Sequence, residues 1–365
     1  MWRLTVFENI KRISSYFGVR SLFLICTVVV AVYLVILIAN MGGHMDKIRE
    51  AQIREQVGLA FQNPELQQLP EGERRKIYEQ MVEVRRREEG LDKPFFQRSL
   101  IYLVNGITLN LGRSQRITSD TGSNQVRLIL VERLPHTLLL WGTAQLLLFF
   151  ISIFLALYLS RHYGSALDRI VVALAPTSAP PAWFYGIILI LIFSSLLRLL
   201  PYGGFVDAPP PPTTLAYALS VLKHMILPVL SVLVGGIFVS IYNWRTFFLI
   251  YSSEDYVEMA RAKGLPPRMI ERRYVLRPTI PPILTAFTLM LISVWMGGIV
   301  TETVFAWPGL GRLLYQAVEN ADTPVMVGSS VVYGYLLAMS VLFLDLAYAV
   351  FDPRVRLGAA GGRRL

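Results

Sequence analysis

The sequence predicts an all-α integral membrane protein with six transmembrane helices and a helical insert, outside the membrane, after the first of them. Three observations predict it. Of 365 residues, 54% are hydrophobic and only 16% are charged, whereas soluble domains carry about 25% charged residues; the mean hydropathy is +0.49. Six apolar stretches are long enough for a hydrocarbon core of about 30 Å, which takes roughly 20 apolar residues in a helix. The basic residues outside the insert fall almost wholly on one side of those stretches.

The predicted spans are 19–40, 136–159, 170–199, 217–241, 279–300 and 325–350. The first has basic residues before it, as a signal peptide does. It is followed by "ANMGGH" with no A-x-A-like cleavage site, so it is expected to stay as the first helix. The third is interrupted by Pro176, Pro180 and Pro181, so it is either kinked or preceded by a short interfacial helix. Arg3, Lys11, Arg12 and Arg20 precede span one, and Arg161 and Arg169 separate spans two and three. Arg245, Arg261, Lys263, Arg268, Arg272, Arg273 and Arg277 follow span four, and Arg354, Arg356, Arg363 and Arg364 follow span six. The opposite loops, 200–216 and 301–324, hold only Arg312. This bias places both termini in the cytoplasm and makes the net charge of +10 a topology signal rather than a nucleic-acid footprint.

Four regions result: 1–42, the cytoplasmic N-terminus and first helix; 43–135, the extracytoplasmic insert; 136–353, a core of five helices; and 354–365, a cytoplasmic tail. Within the insert, Ile77, Tyr78, Met81 and Val84 recur near a 3.6-residue period, bracketed by Pro70 and Gly90, and predict an amphipathic helix. Phe95 to Leu111 is a second amphipathic stretch, too polar and broken to span; it either lies along the membrane surface or packs on the outer ends of the bundle. The insert is either a helical cap without a specific duty or a contact for an external partner.

Several chemistries are excluded. No phosphate loop exists, for the chain contains no Gly-Lys pair; HExxH, paired cysteines and nucleophile elbows are absent too. The four histidines are scattered, and the one cysteine, Cys26, lies in an apolar run. Arg198 and Lys223 are close enough to the outer boundary to snorkel. Asp345 stands alone near a span end, where a proton-coupled carrier needs several converging groups. Glu302 is expected at the outer end of span five, within reach of water.

Between spans four and five lies 254–277, "EDYVEMARAKGLPPRMIERRYVLR". Val257, Ala260, Arg261 and Gly264 share a helical face whose small residues let another backbone approach. Gly264 permits a positive φ and ends the helix. Pro266-Pro267 turns the chain, and a second short helix follows. The reading is a cytoplasmic helix–turn–helix hairpin: either a docking element for a cytoplasmic protein or a solvated interfacial helix.

These residues resemble the EAA-loop signature of permease subunits of binding-protein-dependent ABC importers, in particular the first permease of the dipeptide/oligopeptide/nickel group. Its Glu-Ala-Ala-x-x-x-Gly core corresponds to Glu258, Met259, Ala260 and Gly264, with Met259 in place of the first alanine. "ETVFAWPGLGRLLYQAVENADTPVMVGSSVV" (302–332) and "LDLAYAVFDPRVR" (344–356) are similar to the last loop and C-terminal end of that group, and 90–114 more loosely to the segment before its second span. Arg277-Pro278 stands where the general motif has Leu-Pro, and the insert is longer than in typical members.

The resemblance implies a type I ABC importer permease fold and a non-catalytic subunit. Its implied partners are a second homologous permease, two cytoplasmic ATPase subunits and an extracytoplasmic solute-binding protein, in the cytoplasmic membrane of a prokaryote. No cofactor is expected on this chain, with ATP and magnesium held by the ATPases. The hairpin is then a coupling helix, with Asp255, Glu258, Ala260, Arg261, Lys263 and Gly264 as its ATPase-docking residues. The implied solute is a short peptide; oligosaccharides and nickel complexes are the alternatives within the group. An ion-coupled transporter or a membrane scaffold is the alternative outside it.

Overall fold

The computed structural model describes residues 18, 21–38, 44–60, 70–88, 91–294 and 297–351. The expected tail at 354–365 and the segment after the first span lie outside them. Among the described residues there is no strand, only an isolated bridge between Arg113 and Gln125. The helices are α1 (Ser21–Ile38), α2 (His44–Ala60), α3 (Glu71–Glu88), α4 (Phe95–Ile107), α5 (Val126–Arg161), α6 (Ala166–Leu174) and α7 (Ala182–Leu189). They continue as α8 (Thr214–Ser252), α9 (Asp255–Ala262), α10 (Pro267–Val294), α11 (Ile299–Val304), α12 (Leu310–Glu319) and α13 (Thr323–Phe351).

Among the described residues five helices, α1, α5, α8, α10 and α13, are long and apolar enough to cross a membrane, and a bent pair makes six if its two halves are one broken span. In that pair α6 runs into a 3-10 turn, Ala175–Ser178, and α7 runs into a π-turn, Ile190–Leu196, with 99° between the two halves. Of the two readings of the proline-rich third stretch, the structure adopts separate helices. Pro181, in an extended conformation, caps the second of them.

Boundaries shift where the sequence pattern could not see support from neighbours. The second span starts at Val126 rather than 136 and carries Pro135 inside it. The fourth is 39 residues long, about 58 Å at 1.5 Å per residue, so it projects beyond a bilayer. The fifth, expected over 279–300, ends at Val294. Gly297, at φ +62°, and Gly298 turn the chain there, and a Cβ on Gly298 would stand 2.0 Å from Trp141 Cζ2. Ile299 and Val300 therefore belong to α11, a separate short helix.

The chain forms two compact units, one holding residues 22–129 and 317–335, the other 130–316 and the chain from 336 onward. In the first, α2 and α3 pack through Ile53 and Val57 against Tyr78, Met81 and Val82, with Leu91 closing the cluster. The expected amphipathic helix is α3, although Val84 is exposed and Val82 takes its place in the contact. Asp322, fully buried, accepts from Ser114 Oγ at 2.6 Å and from the Gln115 and Arg116 N–H groups at 3.0 Å each. It thereby fixes the loop before α5 to the residue before α13.

The second unit has two apolar layers. Leu140 and Ala144 of α5 meet Val221, Met225, Val229 and Val232 of α8 and the buried Trp307. Further along the same helices, Ala156 and Leu159 meet Val171, Ile241 and Phe248. α5 and α8 are thus the two rods against which the rest of this unit is laid.

Candidate functional site: a docking hairpin

The hairpin grows directly out of α8. Ser253 ends that helix, Glu254 turns extended, and α9 starts with Asp255 and Glu258 in its first turn, where negative charge is favoured by the helix dipole. Its far end is a Schellman closure. Leu265 N–H reaches back to Ala260 O, and Gly264 N–H to Arg261 O. Gly264 sits at φ +72° between them. Pro267 then opens α10 at its first position, where its missing N–H leaves nothing unpaired.

The first turns of α10 are α-helical, Glu271–Leu276 is π-helical, and Arg277–Val294 is α-helical again. Pro278 has no N–H to donate one turn back, so the ladder slips there. Thr279 Oγ1 donates to the Leu276 carbonyl at 2.8 Å. The expected second short helix is therefore the beginning of the fifth span.

Val257 and Ala260 are buried against Ile270 and Val275, with Tyr251, Leu265 and Tyr274 around them. Of the face read from the sequence, Val257 and Ala260 thus pack on the chain's own following segment, while Arg261 and Gly264 stay exposed. Ala260 shapes the hairpin from inside and presents nothing outward. Asp255, Glu258, Arg261, Lys263 and Gly264 are all exposed. Arg261 turns back toward the base of the hairpin, its Nη2 at 3.4 Å from Ser252 O. Tyr256 and Met259 add apolar surface between the charges, and Met259 is 59% exposed. The outward face is thus acidic at one end, basic at the other and apolar between.

Two ion pairs hold this mount. Arg161, ending α5, pairs with Glu271 in the π-turn. Arg245, on α8, makes a two-pronged pair with Asp168 of α6, Nη2 to Oδ2 being 2.7 Å. Both side chains are buried, and Asp168 also accepts from Gly164 N–H. Arg245 is therefore an internal strut, not a free charge of the cytoplasmic loop as the sequence reading had it.

A second built region surrounds Glu302. Water was expected to reach it; it is wholly buried. Thr137 Oγ1 and Trp141 Nε1 donate to Oε1, each at 3.1 Å, and Arg312 N–H donates to Oε2 at 3.1 Å. Cβ atoms on Gly309 and Gly311 would fall 2.3 and 3.0 Å from Oε2. Burial pushes the carboxyl above the ordinary carboxylate range, and the hydrogen bonds from Arg312, Thr137, Trp141 and Gly311 oppose that rise. The legible signal was the glycines: Gly297-Gly298 and Gly309-x-Gly311 leave room for a carboxylate that no single residue announces.

Among the described residues no group of histidine, cysteine or acidic side chains could hold a metal ion. What the described residues build here is surfaces and struts.

Comparison with known proteins agrees with a transport role. Residues 149–357 match the family described as binding-protein-dependent transport system inner membrane component. The chain is 32% identical over 298 residues to the "Probable D,D-dipeptide transport system permease protein DdpB" of Escherichia coli (strain K12), covering 77% of this chain and 86% of that protein. It is 32% identical over 285 residues to the "Di/tripeptide transport system permease protein DppB" of Pseudomonas aeruginosa (strain UCBPP-PA14), covering 73% and 82%. With the "Dipeptide transport system permease protein DppB" of Escherichia coli (strain K12) it shares 30% over 287 residues, covering 74% and 83%. This multi-pass, non-catalytic membrane protein belongs to the family of binding-protein-dependent transport system inner membrane components.

Proposed function

We propose that this chain is one of two permeases in an ATP-driven importer of short peptides, and that α9 is its docking point for a cytoplasmic ATPase subunit. The observation that carries the docking reading is the outward face of α9. Exposed Asp255, Tyr256, Glu258, Met259 and Lys263 stand on a hairpin rooted in α8 and continuous with α10. A surface so mounted passes displacement to two spans at once. Docking need only bias a two-state membrane body, and couplings of about 1–3 kcal/mol shift such equilibria about 5–150-fold. ATP and magnesium would sit on the ATPases, and this chain would bind no cofactor. The names of the relatives support peptides as solute, delivered by an extracytoplasmic binding protein; an oligosaccharide or nickel complex is the alternative. The basic bias supports cytoplasmic termini in a prokaryotic plasma membrane.

The test is purification of the tagged chain from its native membrane in mild detergent, with mass spectrometry of what accompanies it. A second permease and ATPase subunits are expected, together with peptide uptake into proteoliposomes that stops without ATP. Recovery of the chain alone, with uptake driven by an ion gradient, overturns the reading.

A further inference from the structure

In the first unit, α4 and α1 meet along an apolar groove of about 300 Å³, lined by Val30, Tyr33 and Leu34 on one side and Phe96, Leu100 and Leu103 on the other. Ser99, Tyr102 and Gly106 form the buried face of α4. Tyr33 Oη lies 3.3 Å from Ser99 Oγ, and a Cβ on Gly106 would be 2.9 Å from Val32 Cγ1. The opposite face, Phe96, Leu100, Ile101, Val104 and Ile107 with Gln97 among them, is mostly apolar and is exposed, Phe96 by 66% and Val104 by 58%. A helix lying in water turns a polar face outward, whereas this one turns out its large apolar side chains, which belong against lipid or protein.

The level of contact decides between these. The described residues of α1, Ser21–Ile38, cover about 27 Å, close to one hydrocarbon core. α4 meets them between Val29 and Ile36, inside that apolar stretch. This contact sets α4 at the depth of the hydrocarbon rather than beyond the helix ends.

Backbone bookkeeping agrees. A helix end in lipid must satisfy its last four carbonyls inside the protein. Here Thr108 N–H takes Val104 O, Asn110 N–H takes Asn105 O, Leu109 N–H takes Gly106 O, and Tyr335 Oη donates to Ile107 O at 2.8 Å. The one cationic side chain of α4, Arg98, is paired with Asp46 at 2.9 Å, as charge at that depth requires.

We infer that α4 is an intramembrane helix and that the α1–α4 groove holds a phospholipid acyl chain. The groove continues the outer surface of α1, a span with mean hydropathy 3.0 and only 17% of its residues buried. Its occupant is therefore the lipid that already surrounds α1. This placement differs from both readings made from the sequence, a helix along the membrane surface and a cap on the outer ends of the bundle. It rests on the membrane assignment and not on the docking hairpin, so either can fail without the other.

The test uses spin labels on the full chain, with its co-purifying subunits, in phosphatidylcholine vesicles. Cys26, the only cysteine, is first replaced. Single cysteines then go to Leu100 and Val104, with Phe23 on α1, exposed and outside the groove, as the lipid reference and Glu71 on α3 as the aqueous one. Labels at 100 and 104 are expected to match Phe23: relaxed by oxygen and not by a water-soluble nickel chelate. Chelate access equal to that at Glu71 overturns the proposal in favour of a helix in water. Exclusion of both reagents overturns it in favour of a protein partner over the groove.

Discussion

Gly264 holds φ +72°, and a Cβ there would meet nothing within 4 Å. Substitution by alanine thus costs left-handed strain of about 1–2 kcal/mol and no clash, and transport should fall without loss of membrane insertion. Gly264→Pro must also lose the N–H donated to Arg261 O and cannot adopt a positive φ. It is expected to abolish transport and ATPase co-purification while the chain still inserts; normal uptake by that variant would end the docking assignment. Glu302 makes a prediction in pH. Its carboxyl is raised by burial, so the folded state holds a proton more tightly than the unfolded chain. The stability tied to this group is then full below the ordinary carboxylate pKa and declines as pH rises through the raised one. Glu302→Gln removes the titration but points an NH₂ at a donor, costing about 1–3 kcal/mol. Its melting midpoint in detergent should be lower and vary less with pH. Gly264 was readable because a glycine at the end of a helical pattern, two residues before Pro266-Pro267, marks a helix stop. Glu302 left only the glycines around it as a signal, because its donors Thr137 and Trp141 are remote in sequence and no periodicity points from one to the other.

At the scale of elements, the inside and outside of the hairpin can be separated. Ala260→Leu forces a larger side chain between Val257, Ile270 and Val275; overpacking of this kind costs about 1–3 kcal/mol. It should lower thermal stability and ATPase co-purification together. Met259→Ala touches the exposed face, where substitutions move stability by about 0.5 kcal/mol or less, so it should weaken co-purification alone. If both variants behave alike, the outward face assigned to α9 is wrong. Apolar length and proline positions were enough to place the spans and the break in the third. They could not place the end of the fifth, where Trp141 on another helix meets Gly298, nor show that the second hairpin helix and the fifth span are one. The π-turn that joins them is a response to Pro278 that no hydrophobic pattern records.

On the scale of the whole molecule, charge serves two purposes that a count cannot separate. Arg245 was one of the basic residues that oriented the chain, yet it lies inside α8 and is paired with Asp168. Removing it from the count leaves the bias intact, because the opposite loops still hold only Arg312, and the expected orientation does not depend on it. What Arg245 supports is the joint between α6 and α8, close to the helix end from which the hairpin grows. Breaking a buried pair by removing one partner strands the other charge and costs about 3–5 kcal/mol. Arg245→Ala should therefore be strongly destabilised, whereas Arg245→Met with Asp168→Leu removes both charges and should recover most of that loss. If the joint also carries motion, the double variant should melt near the parent yet hydrolyse ATP with less peptide moved per turnover. A double variant that transports as well as the parent makes the pair a scaffold only, and leaves α8 and α10 as the route from hairpin to membrane.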